Sequence, residues 1–243
     1  AVESELRKEL ATLPDEPSSE LKSVSACSRR GDARFFLRDY QGAVDDYKRM
    51  VELDESLDAS HWRLGIALFM ANQPDDAAAQ FDRYHAFDNV DRENGIWRYL
   101  SHCRASGRER AARELLKYEK DDRPPFAEVY RLFDGSMSVQ QVQDAIPKGL
   151  APSDRLAREF YTDLYVGFYE LVCDHPEAAR NALQKAVTNT WPRNAGFGPR
   201  YMWHVARVQY IDLISTVAAR NRNTSGESAA SDRASQTPSN SSP

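Results

Sequence analysis

The side chains best suited to metal, acid–base or nucleophilic chemistry are few and scattered in this sequence. No histidine belongs to an H-E-x-x-H motif or to a pair spaced i, i+4, the patterns that bring two imidazoles together on a helix. The cysteines are far apart, odd in number and never in C-x-x-C spacing, which argues against a disulfide framework and a structural zinc site. The cysteines are Cys27, Cys103 and Cys173, and the histidines, which we interpret as isolated surface or packing residues, are His61, His85, His102, His175 and His204.

Other catalytic patterns are missing as well. Gly196 and Gly198 lie in an irregular segment that lacks the third glycine and the following helix of a phosphate-binding loop, and no G-x-S-x-G occurs. The carboxylate pairs Asp45-Asp46 and Asp75-Asp76 are predicted to be solvated on the outward faces of helices. The sequence therefore predicts no catalytic residue, no metal and no cofactor.

Composition narrows the classes of partner. Hydrophobic residues make up 41% of the chain and charged residues 28%, enough for a core and a solvated surface. The net charge of −5 favours neither nucleic acid nor an anionic membrane, and no run of about 18 apolar residues is available to span a bilayer. Because the chain begins at Ala1 rather than at a methionine, we expect that it was processed or cut and that any leader was removed.

The clearest pattern is self-similarity. Gly65 lies 34 residues after Gly31, and the same offset relates other small and bulky residues. A period of this length is typical of a helix–turn–helix repeat. The predicted structural positions of the repeat are Gly31, Ala43, Tyr47, Gly65, Ala77, Phe81, Ala111, Leu115, Gly167, Ala179 and Leu183.

Packing explains why these positions are small or large. Two antiparallel helices cannot bury their apolar faces alone, so that successive pairs must stack. Gly65 and Ala77 would let the two helices of a pair approach closely, and Phe81 would fill the space between pairs. We therefore expect the repeated positions to have structural roles.

The sequence divides into three segments. Residues 1–17 are predicted to form an amphipathic helix and a proline-containing linker, and residues 18–220 an all-α solenoid. Residues 221–243 are rich in Ser and Asn with almost no large apolar side chain, and we expect them to be disordered. The solenoid is predicted to contain about five helix pairs and a capping helix, in the units 24–57, 58–91, 92–125, a shortened and irregular pair at 126–150, a long repeat at 153–190 and the capping helix at 200–219.

The residues Leu64-Gly65, Ala77, Phe81 and Tyr84 match consensus positions of the tetratricopeptide repeat (TPR) family, which the chain resembles. The resemblance implies an all-α solenoid that binds other proteins along its inner wall. In this family that wall comes from fixed positions on the first helix of each repeat. Carried onto this sequence, the partner-binding positions are Phe35, Phe36, Trp62, Ile66, Phe69, Met70, Ile96, Leu100 and Arg104, accompanied by Ser28, Asp32 and Cys103.

These positions are unusually apolar for a surface that faces water. An exposed apolar patch of this kind marks a binding site, unless the chain covers the patch itself. Two alternatives follow. Either a partner lies in the groove with Trp62 and Phe69 as anchors, or residues 1–13 or 200–219 fill it.

The order of the elements more narrowly resembles the NlpI family of bacterial lipoproteins, over about residues 20–213. The specific parts are Trp97-Arg-Tyr-Leu100 and the short helices that follow Pro125. The resemblance implies a dimeric adaptor on the periplasmic face of the outer membrane, which recruits or regulates cell-wall (peptidoglycan) hydrolases or a periplasmic processing protease. It implies a lipid anchor only if residues upstream of Ala1, including a cysteine, were removed.

Two further features concern the surface. Arg30, Arg34 and Arg38 are spaced i, i+4, i+8, and this basic stripe is expected to pair with Asp32, Asp45 or the acidic N-terminal residues, or else to meet an acidic patch on a partner. The N-terminal helix carries apolar residues on one side, but two prolines detach it from the first repeat. It either folds back or docks on a second copy, which would produce a homodimer.

We therefore interpret the chain as a non-enzymatic scaffold that binds other proteins, as an adaptor of the cell envelope. The alternative is a cytoplasmic TPR scaffold with an unrelated client. An enzyme is a third class, for which no set of nucleophile, base and orienting residue is visible.

Overall fold

The structure is a computed structural model that describes residues 2–120 and 122–234, with side chains described as far as Thr216. In this part of the chain every regular element is helical, with twelve α-helices, three short 3₁₀ turns and no strand. The α-helices are α1 (Val2–Leu10), α2 (Val24–Phe36), α3 (Tyr40–Leu53), α4 (Trp62–Met70), α5 (Pro74–Phe87), α6 (Arg92–Ser106), α7 (Arg108–Arg113), α8 (Phe126–Phe133), α9 (Val139–Asp144), α10 (Pro152–Val172), α11 (Pro176–Thr188) and α12 (Phe197–Ala234).

Local sequence sets where many of the helices begin and end. The carboxylates of Asp39 and Asp91 accept hydrogen bonds from the first-turn N–H groups of α3 and α6, at 3.0 Å and 2.9 Å, as good N-cap residues do. Proline opens α5, α10 and α11, where its missing N–H leaves no helical bond unmade. Gly107 ends α6 at a φ of 87°, a conformation that a residue with a Cβ rarely adopts.

Helices that are neighbours in the sequence are also neighbours in space. The helices α2 to α6 pack one on the next, as do α10, α11 and α12. Contacts of α10 with α6 and of α12 with α2 join the two halves of the row, so that a single buried core runs through the molecule. The prediction of an all-α protein built from consecutively packed helices is confirmed.

Three glycines lie where a bulky side chain of the following helix crosses their own helix. A Cβ on Gly31 would lie 2.6 Å from the Tyr47 ring, and a Cβ on Gly65 would lie 2.6 Å from the ring of Phe81. A Cβ on Gly167 would lie 2.7 Å from the side chain of Leu183 in α11. Since carbon atoms in proteins do not approach so closely, each of these helix pairs can touch only because a glycine is present.

All eleven predicted structural positions are at least half-buried. Ten of the eleven are buried and Leu115 is half-buried. Leu115 follows the end of α7 at Arg113 and belongs to no helix, whereas the other ten positions lie within helices.

Replacing Ala77 by leucine is expected to lower the free energy of unfolding by about 1–3 kcal/mol, because this fully buried position has no room for a larger side chain. Ala79→Leu makes the same change at an exposed position of the same helix, so its effect should stay within about 0.5 kcal/mol. Urea denaturation followed by circular dichroism measures both values. Equal stability of the two variants would contradict this packing.

The last helix is longer than the predicted capping helix. We expected it at residues 200–219, whereas α12 begins at Phe197 and continues to Ala234. Part of the segment predicted to be a disordered tail, up to residue 234, therefore has helical backbone, and residues 235–243 lie outside the described residues. Neither α12 nor any other helix in the described parts of the chain is long and apolar enough to cross a membrane.

Asp46 is buried, which corrects the prediction that the Asp45-Asp46 pair is solvated. Its carboxylate is not exposed at all and accepts hydrogen bonds from Arg30 at 2.6 Å and from Arg34 at 3.0 Å. Arg38 pairs with Asp212 of α12 at 3.1 Å. The basic stripe is therefore neutralised inside the chain, by residues of α3 and α12 rather than by the acidic neighbours predicted from the sequence.

The N-terminal segment folds back on the rest of the chain. The guanidinium of Arg30 donates to the backbone oxygens of Pro14 and Glu16, at 2.6 Å and 2.7 Å, which holds the linker in place. Helix α1 contacts α2 and buries Leu6. Helix α1 therefore folds back onto α2 of the same chain. The homodimer, in which it would dock on a second copy, stays a prediction.

Candidate functional site

The groove predicted as the partner-binding site is closed in this structure. This corrects the alternative in which a partner lies in an open groove. Five of its positions are buried, namely Phe35, Ile66, Phe69, Ile96 and Leu100. Three are half-buried, namely Phe36, Trp62 and Met70. The ninth, Arg104, is exposed, with its guanidinium 3.6 Å from the centre of the Phe69 ring and a hydrogen bond of 2.8 Å to the backbone oxygen of that residue.

Helix α12 covers the first part of the groove. The ring centre of Tyr201 lies 5.3 Å from that of Phe35 and 4.9 Å from that of Trp62, and the His204 ring stacks on Phe36 at 3.7 Å. Offset and edge-to-face contacts of this kind stabilise aromatic packing. The structure thus shows the second of the two alternatives, in which residues from the 200–219 segment fill the groove.

Helix α10 covers the second part. The Phe168 ring lies 4.9 Å from Trp97 and 6.3 Å from Phe69. The indole N–H of Trp97 donates to the hydroxyl of Tyr165 at 3.1 Å. A partner would have to displace α10 or α12 to reach most of the predicted positions, which in this structure are packing residues.

A cavity of about 490 Å³ remains between these helices, within the range of sizes that hold small ligands. Its floor is apolar and buried, since Ile66, Trp97 and Met202 are each at most 3% exposed. Its mouth lies between the exposed Arg123 and the half-buried Trp191. Further aromatic side chains on its walls are Trp62, Tyr84 and Tyr161.

Three charged side chains line the cavity, two carboxylates and one guanidinium. Asp91 and Glu93 lie in the N-cap and first turn of α6, where the positive end of the helix dipole favours anions. One oxygen of Glu93 accepts a hydrogen bond from the hydroxyl of Tyr165, and the other accepts one from the guanidinium of Arg123. Asp91 accepts a hydrogen bond from the side chain of Asn94 at 2.6 Å.

The surroundings of these carboxylates favour their protonated forms. Burial raises the pKa of Glu93 to about 7, and it also raises the pKa of Asp91. The Arg123 guanidinium opposes the rise at Glu93, whereas the charges of Asp91 and Asp122 add to it. A carboxyl group with a pKa near neutrality inside a cavity is a feature of many functional sites.

Glu93 is expected to make the free energy of unfolding fall as the pH rises from about 4.5 to about 7. The unfolded chain loses this proton near the ordinary pKa of 4.5, whereas the folded protein keeps it up to about pH 7. Because the folded state binds more protons in this window, stability falls by up to about 1.4 kcal/mol per pH unit. Glu93→Gln should remove this contribution, and urea unfolding at about pH 5 and about pH 7 measures it. Equal pH slopes for the two proteins would contradict the raised pKa.

The polar groups of the cavity lining include two carboxylates, one guanidinium, one amide and two phenolic hydroxyls. The lining contains no serine, cysteine, lysine or histidine, and both oxygens of Glu93 already accept hydrogen bonds. Among the side chains that the structure describes, which end at Thr216, no group of three or more His, Cys, Asp or Glu is arranged to hold a metal ion. The lining can hold a ligand by aromatic stacking, apolar contact and charge.

Sequence reasoning missed most of this cavity. Of the predicted groove positions only Trp62 and Ile66 line it. Asp91 and Glu93 look like ordinary acidic residues at a helix start, and Arg123 lies in a segment between helices, so no local pattern distinguishes them. The aromatic residues of α4, α6 and α10 are the signal that could have indicated the cavity. Their side chains must lie close together if these helices share a core. No family model matches the chain, so this cavity is the basis for assigning a function.

Proposed function

We propose that this chain is a TPR-type helical solenoid that binds other proteins, and that the central cavity receives a side chain of the partner. The observation that carries the proposal is a cavity of about 490 Å³ with an apolar floor, aromatic walls and a charged mouth. Such pockets are the default binding sites of helical proteins. The glycine contacts of Gly31 and Gly65, one period apart, support the solenoid.

The proposed role is that of a non-enzymatic adaptor. Supporting it, the cavity lining lacks a nucleophile and a free general base, whereas aromatic residues and arginine are the types that most often anchor protein partners. The proposed binding site is therefore the cavity and not the whole face formed by the first helix of each repeat, most of which α10 and α12 cover.

The proposed setting is the bacterial cell envelope, where the chain would recruit or regulate cell-wall hydrolases or a processing protease. This part of the proposal is supported by the resemblance carried by Trp97-Arg-Tyr-Leu100 and the short helices α8 and α9. A cytoplasmic scaffold with an unrelated client is the alternative. The experiment below separates the two by the source of the client.

Ala157 provides a way to close the cavity. It is half-buried, lies on α10 and lines the cavity, so Ala157→Trp should fill the space without altering charge. The matched control is Ala79→Trp, the same substitution on the exposed face of α5. Immobilised wild type and both variants are incubated with envelope and cytoplasmic extracts of a bacterium, and bound proteins are identified by mass spectrometry.

We expect a client that the wild type and Ala79→Trp retain and that Ala157→Trp loses by at least about tenfold. Equal retention by Ala157→Trp, with an unchanged melting temperature, would show that partners bind elsewhere. A client recovered from the envelope extract supports the adaptor of the cell envelope, and one recovered only from the cytoplasmic extract supports the alternative.

A further inference from the structure

We propose that the group received by the cavity is the guanidinium of an arginine on the partner protein. This inference rests on the proposed function and names the chemistry of the bound side chain. It follows from two independent features of the cavity, an excess of carboxylates at its mouth and a set of aromatic rings on its walls.

The charge at the mouth is unbalanced. The guanidinium of Arg123 is shared among three carboxylates, at 3.5 Å from Asp91, at 3.3 Å from Asp122 and in a hydrogen bond with Glu93.

Among the residues that line the cavity, one guanidinium, that of Arg123, faces two carboxylates, those of Asp91 and Glu93. Burial raises the pKa of Glu93 and of Asp91 because their negative charges are incompletely compensated and poorly solvated. A cation entering the mouth would relieve this cost, whereas an anion would add to it. The partner group is therefore expected to be positively charged.

The walls favour a flat cation over a compact one. Aromatic rings attract cations over their faces, and a guanidinium stacks on them more readily than an ammonium does, since it is planar and less strongly hydrated. Trp62, Trp97, Trp191, Tyr84 and Tyr161 all line the cavity. The protein's own Arg123 already shows the geometry, with its guanidinium 4.4 Å from the centre of the Phe126 ring while it binds Glu93.

The direct test uses three synthetic pentapeptides that are identical except for the central residue, in otherwise glycine and serine sequences. The central residue is arginine, the neutral isostere citrulline, or glutamate. Binding is followed by tryptophan fluorescence, because three of the four tryptophans of the chain line the cavity. We expect the arginine peptide to bind at least about tenfold more tightly than the citrulline peptide, and the glutamate peptide to bind more weakly still.

Two charge variants locate the binding. Asp91→Asn removes one negative charge but keeps the N-cap of α6, because asparagine caps as well as aspartate does. Asp91→Asn should weaken the binding of the arginine peptide about tenfold. Arg123→Gln removes the competing guanidinium and should strengthen that peptide about threefold or more, since the carboxylates become available. Asp76→Asn, with the same charge change at an exposed position of α5, should leave binding unchanged.

Each result decides between arginine and other ligands. Tighter binding of the glutamate peptide, or its loss in Arg123→Gln, would show an anion site and overturn the proposal. Equal binding of arginine and citrulline peptides would overturn it too. If Asp91→Asn lowers the melting temperature, Glu93→Gln decides the question when binding is measured at about pH 8, above the pKa of about 7, where Glu93 is ionised and the substitution removes a full negative charge. If Ala157→Trp loses the client but the charge variants still bind it, the proposal of arginine recognition is wrong. The proposed protein-binding function is not affected by that result.

Discussion

Trp97→Ala is expected to lower the free energy of unfolding by about 3–5 kcal/mol, the range for removing a large buried aromatic side chain. Trp97 is 1% exposed and connects three helices, with its ring 5.4 Å from Phe69 of α4 and 4.9 Å from Phe168 of α10. The change also deletes the donor that holds the hydroxyl of Tyr165, which in turn donates to Glu93. The cavity therefore loses both its floor and the orientation of its carboxylate.

Urea denaturation of Trp97→Ala measures this loss, and two variants separate its causes. Trp97→Phe keeps an aromatic ring but not the indole N–H, so it should cost clearly less than Trp97→Ala. Trp191→Ala removes a half-buried tryptophan at the cavity mouth and should also cost less, because less surface is buried there. If Trp191→Ala and Trp97→Ala were equally destabilising, Trp97 would not be the central packing residue described above.

Asp46→Ala is also expected to lower the free energy of unfolding by about 3–5 kcal/mol, because it leaves the buried guanidinium of Arg30 without its counter-charge. Arg30 is itself only 1% exposed, so water cannot replace the lost carboxylate. The linker should loosen as well, since Arg30 also binds the backbone of Pro14 and Glu16. Helix α1 would then be free to leave α2.

The neighbouring residue provides the control for Asp46. Asp45→Ala makes the same change at an exposed position one residue earlier, where the effect should stay within about 0.5 kcal/mol. The double variant Arg30→Met with Asp46→Leu should recover much of the stability, because an apolar pair avoids the cost of burying charges. Thermal melting and urea denaturation measure all three. A loss in Asp46→Ala no larger than in Asp45→Ala would contradict the buried ion pair.

Closure by the chain's own helices changes how a scaffold of this type would work. In an open solenoid a partner can run along the whole inner wall, whereas here Tyr201 and Phe168 occupy that wall. The cavity with a charged mouth is the part of this surface that we propose as the binding site. Recognition would then depend on one inserted side chain, which makes it sensitive to single substitutions such as Asp91→Asn.

The sequence alone determined that the chain is helical, where several helices begin, and some contacts between helices that are neighbours in the chain. The 34-residue period placed Gly65 and Phe81 in slots that meet in the structure, because helices adjacent in the chain must bury their faces against each other and the fit depends on side-chain size. Capping residues such as Asp39 and prolines such as Pro74 set helix starts, because they act on backbone groups within a few residues. These are local effects, so a local pattern reveals them.

Only the tertiary structure decided which side chains cover the apolar faces of the helices. Periodicity shows that the helix faces carrying Phe35 and Trp62 are apolar. An apolar face can be buried either by a partner or by a later helix of the same chain. Here that helix supplies Tyr201. Likewise Glu93 meets Arg123 across 30 residues and Tyr165 across 72. The pKa of Glu93 and the charge of the cavity depend on burial and on these distant groups, which no local sequence pattern encodes.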